Sequence, residues 1–152
     1  MHFHIITPTH NRLNLLQRNI KSVQAQDFSD FTQWIIDDST NQETEVWMME
    51  NMSRNIQYIK NEKNIGSNAS KNRALDVICS RQTESQSYVI FLDDDDFLSS
   101  DALLHLAENM SDNQKWYITQ RVYENGTPIT QVPSGKGIYN YVGDYLLGGR
   151  IQ

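Results

Sequence analysis

Short apolar runs alternate with stretches of helical spacing through residues 3–110. The apolar runs predict four strands, and they lie at residues 3–7, 33–36, 56–59 and 88–92. Between these runs and after the last one, hydrophobic side chains recur every three or four residues, which predicts that a helix follows each strand in the sequence. This strict alternation indicates a parallel sheet with helices on both of its faces.

The run at residues 88–92 is wholly apolar after its first residue, which is typical of a strand at the buried centre of a parallel sheet. In the helix before this run we expect Cys79 on the buried face, and in the helix after it we expect Leu104 to point inward. Pro8 and Asn11 are expected to turn the chain at the end of the first strand.

The alternation of strands and helices stops after residue 110. Asn125-Gly126 is flanked by residues 116–123 and 128–132, and this dipeptide favours a tight turn between two strands. We therefore predict an α/β fold with a mostly parallel sheet, followed by a short β-hairpin region. A length of 152 residues suits a single domain over residues 1–152.

Charge, cysteine content and the length of the apolar runs exclude several classes of protein. There are 13 basic and 19 acidic side chains, so the net charge is −6, whereas nucleic-acid-binding proteins usually carry a basic surface. The single cysteine excludes an internal disulfide framework. No apolar run reaches the ~18 residues of a membrane span. The N-terminal segment lacks a signal-peptide pattern, so we expect a cytoplasmic location, with the inner face of the membrane as a second option.

Polar side chains follow all four predicted strands. They fall at residues 7–12, 37–39, 64–66 and 93–96. In open α/β sheets, ligands bind beyond the carboxyl ends of the strands. Four consecutive strand ends with polar clusters therefore predict a ligand site at this edge of the sheet.

The run Asp93-Asp94-Asp95-Asp96 is the sharpest of these signals. Neighbouring carboxylates repel one another, and a divalent cation is the usual counter-charge for hard oxygen ligands. In an extended segment, Asp93 and Asp95 point the same way and share one ligand face, whereas Asp94 points away. The alternative is a solvated acidic loop in which Asp96 lies near a helix N-terminus.

Residues at the other strand ends allow two interpretations each. Asp38 either accepts hydrogen bonds from a nucleobase or ribose, or belongs to an ordinary loop. Gly66 either lets the backbone approach a ligand or simply makes a turn. Lys71, early in the third helix, and Arg12 either face a diphosphate or lie in solvent.

Taken together, in this order and at this spacing, the four clusters resemble family 2 glycosyltransferases of the GT-A fold. The resemblance covers about residues 3–110. It implies transfer of a sugar from a nucleotide diphosphate sugar, most often a UDP-sugar, to an acceptor hydroxyl. Inversion at the anomeric carbon and a role in bacterial surface polysaccharide synthesis are further expectations from the family.

The resemblance also assigns roles to the residues that follow the first two strands. Thr7, Pro8 and Arg12 match the first nucleotide-binding loop of the family. Asp38 matches the aspartate that contacts the base. All four are therefore expected to bind the donor substrate.

The remaining assignments concern the third and fourth strand ends. Gly66 and Lys71 match the third loop and a helix residue near the nucleotide, where the family more often has arginine. Asp93 and Asp95 match the D-x-D motif, so the resemblance implies that both bind Mn²⁺ or Mg²⁺ and that Asp93 also reaches the ribose. Asp94, between them, is counted among the predicted substrate-binding residues.

No general base is identifiable from the sequence. In the family this carboxylate lies well downstream of D-x-D, and the chain ends before a matching motif appears. We therefore expect a nucleotide-sugar-binding domain that lacks most of the acceptor-binding half. Three explanations stay open: a truncated chain that is inactive alone, a minimal enzyme, or a domain that binds nucleotide sugar without transferring it. Expected partners are the donor, a saccharide or lipid-linked acceptor, the membrane surface as a peripheral contact, and a second copy of the chain.

Two other function classes stay open at this point. One is a non-catalytic or truncated nucleotide-sugar-binding module that needs a partner chain. The other is a metal-dependent phosphohydrolase or nucleotidyltransferase. The second is disfavoured because the first strand ends in Thr-Pro-Thr-His, without a D-x-D motif or a glycine-rich basic loop.

Overall fold

Four strands alternate with four helices in the computed structural model, which describes residues 1–81, 87–110 and 127. The elements are β1 (His2–Thr9), α1 (Leu13–Gln24), β2 (Phe31–Asp37), α2 (Glu43–Asn51), β3 (Ile56–Lys60), α3 (Ser67–Arg81), β4 (Ser87–Phe91) and α4 (Ala102–Asn109). The order and type of every element match the prediction. The hairpin predicted around Asn125-Gly126 lies outside the described residues.

The four strands form one parallel sheet in the order β3-β2-β1-β4. β1 pairs with β2 through Thr7 and Ile35, and with β4 through Ile6 and Phe91. The chain therefore builds outward from β1 to β3, then crosses back to place β4 on the other side of β1. In such sheets, the crevice for a ligand opens where the strand order reverses. Here that point lies between β1 and β4.

β1 is longer than the sequence predicted, because Pro8 and Thr9 continue the strand beside β2 instead of starting a turn. Pro8 faces the β4 side, where the Leu92 N–H donates to the Ile6 carbonyl at 3.0 Å. The next bond of that ladder would need an N–H at residue 8, and proline has none. Pairing of β1 with β4 therefore stops at this point, while pairing with β2 continues to Thr9 and Asp37.

Helices cover both faces of the sheet, as predicted. On one face, Phe3 and Ile5 of β1 pack with Val23 of α1 and Leu103 of α4. On the same side of β2, residues of α1 and α2 form a further buried cluster with Ile35. On the opposite face, Ile6, Trp34 and Ile36 pack against α3.

Three expectations about burial are wrong. Within the described residues β4 lies at an end of the sheet, and its side chains are not buried as expected, since Val89 and Phe91 are 38% and 52% exposed. Cys79 is exposed, since α3 turns a different stripe, centred on Ala74, toward the sheet. Leu104 is partly exposed, and Leu103 fills the core in its place. Within the described residues, no helix has the length and apolar character needed to cross a membrane.

Candidate functional site

An open pocket of about 300 Å³ lies at the carboxyl edge of the sheet, where the polar clusters were predicted to meet. It is lined by Pro8, Thr9, His10, Arg12, Asp38, Asn64, Gly66, Ser67, Asp93 and Asp95. All four strand ends therefore contribute to one cavity. Thr7 and Asp94 are buried and are not among the residues that line the pocket. Lys71 reaches the site through its ion pair with Asp93.

The loop after β1 is tied to the loop after β2. Asn11 adopts a left-handed backbone conformation with φ 53°, which asparagine tolerates better than most residues. Its N–H donates to Ser39 Oγ at 2.8 Å, and its side-chain oxygen accepts from the N–H of Thr40 at 3.0 Å. This turn places Arg12 directly before α1, at the mouth of the pocket.

Asp38 anchors the third loop to the end of β2. Its carboxylate is buried and accepts hydrogen bonds from the N–H of Gly66 at 3.1 Å and from Ser70 Oγ at 3.0 Å. Asn61 Nδ2 and the N–H of Ile65 donate to the other oxygen. Asp38, which the resemblance assigns to the base of the nucleotide, therefore holds together the loop that borders the pocket.

Gly66 occupies a position that favours glycine. Its φ is +88°, in the left-handed region where a side chain is unfavourable, although a Cβ there would meet no atom within 4 Å. The Gly66 carbonyl accepts from the N–H of Ser70 at 3.0 Å, so α3 starts immediately after this turn. Ser67, the first residue of α3, lines the pocket and brings the positive end of the helix to it.

The four aspartates form a tight turn, and the extended segment expected from the sequence is wrong here. The N–H of Asp96 donates to the carbonyl of Asp93 at 3.0 Å, which closes the turn. The turn nevertheless gives the expected division of side chains. Asp93 and Asp95 are about half exposed and line the pocket, whereas Asp94 is 1% exposed.

Cationic side chains pair with three of these carboxylates. Lys71 Nζ lies 2.8 Å from Oδ1 of Asp93. Arg12 lies between the other two, with Nη2 2.5 Å from Oδ1 of Asp94 and Nη1 3.3 Å from Oδ2 of Asp95. The site therefore already contains two positive charges that offset its carboxylates.

Asp94 is held inside the protein. Burial raises the pKa of its carboxyl group, while a hydrogen bond from Thr9 and the charge of Arg12 oppose that increase. Thr9 Oγ1 donates to Asp94 Oδ2 at 2.7 Å. These contacts make Asp94 a link between β1, the first loop and the aspartate turn.

Below the pocket, the end of β2 is fixed by a second buried carboxylate, Asp37. Its oxygens accept hydrogen bonds from the N–H of Ser39, from Tyr58 Oη and from Lys60 Nζ. Burial raises the pKa of Asp37, but these donors outweigh burial and hold the pKa below its usual value. Burial and the hydrogen bond to Asp37 together raise the pKa of Tyr58.

Sequence reasoning assigned no role to several residues of the site. His10 lines the pocket and donates from Nδ1 to the backbone carbonyl of Asp38 at 2.7 Å. Ser67 also lines it. Asn19 in α1 donates to the backbone of the aspartate turn, and its polar side chain on an otherwise apolar helix face was a usable signal.

The donor atoms suit a divalent cation that completes its coordination from a ligand. Asp93 and Asp95 offer accessible carboxylate oxygens on one pocket, and such hard ligands favour Mg²⁺ or Mn²⁺. Within the described residues there is no group of three or more His, Cys, Asp or Glu side chains arranged to hold a metal. Two protein carboxylates with ligand phosphates are a usual arrangement for a metal-nucleotide complex.

The sequence of residues 4–150 matches the profile of glycosyl transferase family 2. The chain belongs to this family. The match spans nearly the whole chain, so the resemblance inferred from the four clusters is confirmed, together with the α/β fold of the GT-A type.

Individual relatives agree with this family. A Campylobacter jejuni protein named GalNAc(5)-diNAcBac-PP-undecaprenol beta-1,3-glucosyltransferase is 33% identical over 138 residues, which are 88% of this chain and 42% of the relative. The chain thus spans less than half of that relative. Crystal structures of S. aureus TarS 1-349 in complex with UDP and with UDP-GlcNAc are 28% identical, with TM-scores of 0.59. They cover 71% of this chain and 31% and 30% of TarS 1-349.

A more distant structure shares the fold alone. It is a Pyrobaculum calidifontis mannosyltransferase in complex with GDP-Man and Mn²⁺, 18% identical, with a TM-score of 0.51. It covers 63% of this chain and 28% of the mannosyltransferase.

Proposed function

We propose that this chain binds a nucleoside diphosphate sugar at the carboxyl edge of its sheet and belongs to an enzyme that transfers the sugar to an acceptor hydroxyl. The observation that carries the proposal is the pocket itself. Two accessible carboxylates, Asp93 and Asp95, share it with the cationic Arg12 and with the N-terminal end of α3. That combination suits a ligand with a diphosphate and a metal ion.

A uridine nucleotide is the favoured donor. TarS, which is 28% identical to the chain, has been crystallised with UDP and with UDP-GlcNAc. In our proposal the nucleoside lies toward Asp38 and His10, on the β2 side of the pocket. The diphosphate lies toward Arg12 and Lys71, whose charges favour an anion. Gly66 and Ser67 border the ligand, and the N-terminal end of α3 faces it.

Asp93 and Asp95 are the proposed ligands of Mn²⁺ or Mg²⁺. When bound, the metal would neutralise charge on the leaving nucleoside diphosphate. The chain's own contribution is to hold the two carboxylates on one side of the pocket and to supply two cations for the phosphates. These cations are Arg12 and Lys71, which contact Asp95 and Asp93.

The acceptor side is proposed from the family and its relatives. The C. jejuni relative is named for a glucosyl transfer to an undecaprenol-linked saccharide. A similar lipid-linked or saccharide acceptor would place this chain in bacterial surface glycan synthesis, at the inner face of the membrane. Inversion at the anomeric carbon is part of the proposal, and no residue is assigned as the general base.

A titration of the full chain with UDP, GDP, CDP and dTDP, with and without Mn²⁺, tests donor binding. We expect UDP with Mn²⁺ to raise stability by about 2.7 kcal/mol at 100 times its dissociation constant. Asp95→Asn should abolish the effect of Mn²⁺. Asp76→Asn, the same change at an exposed position of α3 outside the pocket lining, should retain it.

Failure of all four nucleotides in the presence of Mn²⁺, with the protein folded, would contradict the proposed site. Transfer is tested separately by the release of UDP from UDP-sugars in the presence of lipid-linked acceptors. Nucleotide binding without transfer or hydrolysis would favour the second candidate function, a nucleotide-sugar-binding module that requires a partner chain.

A further inference from the structure

Polar side chains on α1 and just after it contact the segment that contains the aspartate turn. Asn19 and Ser22 are spaced three residues apart on one side of the helix, and Gln26 follows shortly after the helix ends. Ser22 Oγ accepts from the N–H of Leu98 at 3.2 Å, and the side-chain oxygen of Gln26 accepts from the N–H of Leu103 at 3.0 Å. Asn19 is one turn earlier and faces the aspartates.

The side-chain amide of Asn19 contacts both ends of the aspartate turn. Its Nδ2 donates to the backbone carbonyl of Asp93 at 3.0 Å and to that of Asp96 at 2.9 Å. These are the first and the last residues of the turn, which the Asp96 N–H also closes onto Asp93. The amide therefore fixes both ends of the segment that presents Asp95 to the pocket.

The orientation of Asn19 is itself fixed from inside the sheet. Gln33 of β2 is fully buried, and its Nε2 donates to Asn19 Oδ1 at 2.7 Å and to Thr7 Oγ1 at 3.2 Å. Because Asn19 Oδ1 accepts from Gln33, its Nδ2 must face the turn. Two buried side chains thus connect the middle of the sheet to the aspartates.

Asn19 is a polar residue in apolar surroundings. Its side chain is fully buried on the helix face that also carries Leu16, Ile20 and Val23. A buried amide is unfavourable unless it is hydrogen-bonded. In the described residues, its nitrogen donates to the aspartate turn and its oxygen accepts from Gln33. The amide therefore connects the sheet with the turn.

We propose that Asn19 is a positioning residue that sets the affinity of the pocket for a divalent cation. It does so by holding the turn in the form that directs Asp93 and Asp95 to the same cavity. Residues that orient metal ligands without touching the metal commonly change metal affinity when they are removed. The identity of the ligand, a metal with a nucleoside diphosphate, rests on the proposed function.

The test compares Asn19→Leu with the parent full-length chain in calorimetric titrations of Mn²⁺ at saturating UDP. The half-saturating Mn²⁺ concentration should rise about 10- to 100-fold. Gln26→Leu is the matched control, because it removes a side-chain amide that holds the neighbouring segment from a position just after the same helix. It should leave the Mn²⁺ requirement unchanged. A purely structural role of Asn19 would lower the melting temperature and leave the half-saturating Mn²⁺ concentration unaltered, which would overturn the proposal.

Asn19→Asp replaces Asn19→Leu in this test if the leucine variant does not fold. It keeps the volume and the acceptor for Gln33 and replaces the donor with an oxygen that faces the two carbonyl groups. Hydrogen exchange of the ligand-free protein then separates this inference from the proposed function. Faster exchange confined to residues 93–98 would support positioning even if the parent bound no nucleotide. Unchanged exchange there in a folded variant would overturn the inference, whatever the protein binds.

Discussion

Arg12 reaches across the end of the sheet to Asp94, with Nη2 2.5 Å from Oδ1 of that carboxylate. Asp94 is 1% exposed, whereas Arg12 remains partly in solvent and lines the pocket. The same guanidinium contacts Asp95 through Nη1. A single residue at the start of α1 thus connects the buried and the exposed carboxylates of the turn, so disturbance of the loop after β1 affects the aspartates as well.

Replacement of Arg12 should therefore reduce both stability and ligand affinity. Arg12→Gln leaves the buried Asp94 without its charged partner, and we expect the free energy of unfolding to fall by about 1–3 kcal/mol. UDP affinity should also fall, because a cation is lost from the pocket. Urea denaturation and UDP titration measure the two effects. The double variant Arg12→Gln/Asp94→Asn should recover part of the stability, and strictly additive losses would argue against this coupling.

Lys71 Nζ lies 2.8 Å from the carboxylate of Asp93, so in the proposed site Lys71 would compete with the metal ion for this ligand. Lys71→Gln should tighten the binding of Mn²⁺ alone by roughly 2- to 5-fold, because an ion pair at a partly exposed site is worth up to about 1 kcal/mol. The same change should weaken UDP binding at saturating Mn²⁺. Electron paramagnetic resonance of free Mn²⁺ and calorimetry with UDP measure the two opposite shifts. Lys21→Gln, an exposed lysine on α1, is the control, and equal effects from both variants would exclude a local competition.

Gly66 is expected to tolerate alanine with a modest loss. The left-handed φ of +88° disfavours a side chain, but a Cβ would meet no neighbouring atom. Gly66→Ala should therefore lower the free energy of unfolding by about 1–2 kcal/mol, the cost of that backbone conformation alone. Thermal denaturation measures the loss. A loss well above this range would show that the third loop has less space than the structure gives it.

Asp37 should make stability depend on pH in the acidic range. Its folded-state pKa lies below the usual 3.8, since hydrogen bonds from Ser39, Tyr58 and Lys60 outweigh burial. A carboxyl group with a lowered folded pKa stabilises the protein above its unfolded pKa, and this contribution is lost as the pH falls through the folded value. Asp37→Asn should therefore cost about 1–3 kcal/mol at pH 7.

The difference in stability between the parent and Asp37→Asn should shrink as the pH falls below about 4. Urea denaturation at a series of pH values from 7 to 3 measures it. A difference that stays constant across this series would mean that the carboxylate contributes through packing and not through its charge.

The fold could be predicted from the sequence because its signals are local. Apolar runs at β1 to β4 and helical spacing between them gave every element in the order observed, and the parallel arrangement followed from the alternation. The strand-end rule placed Arg12, Asp38, Gly66 and Asp93 at one edge, where they share a pocket. Such inferences need only periodicity and the rule that ligands bind at the carboxyl edge.

The wrong or missing predictions concern burial and long-range contacts, which depend on residues that are distant in the sequence. The burial of β4 depends on which strands lie beside it, and the exposure of Cys79 depends on which stripe of α3 meets the sheet. Asn19 contacts two residues of the aspartate turn that lie 74 and 77 positions later in the sequence. A local sequence pattern does not predict a contact over such a separation. The roles assigned to individual residues of the site remain predictions.

Pro8 has a consequence for where the aspartate turn begins. Any other amino acid at this position would have an N–H directed toward β4, and the ladder could extend by one more hydrogen bond to the carbonyl of Leu92. Without that N–H, the ladder ends directly before Asp93, the first residue of the turn. One missing backbone donor thus separates the regular sheet from the residues that line the pocket.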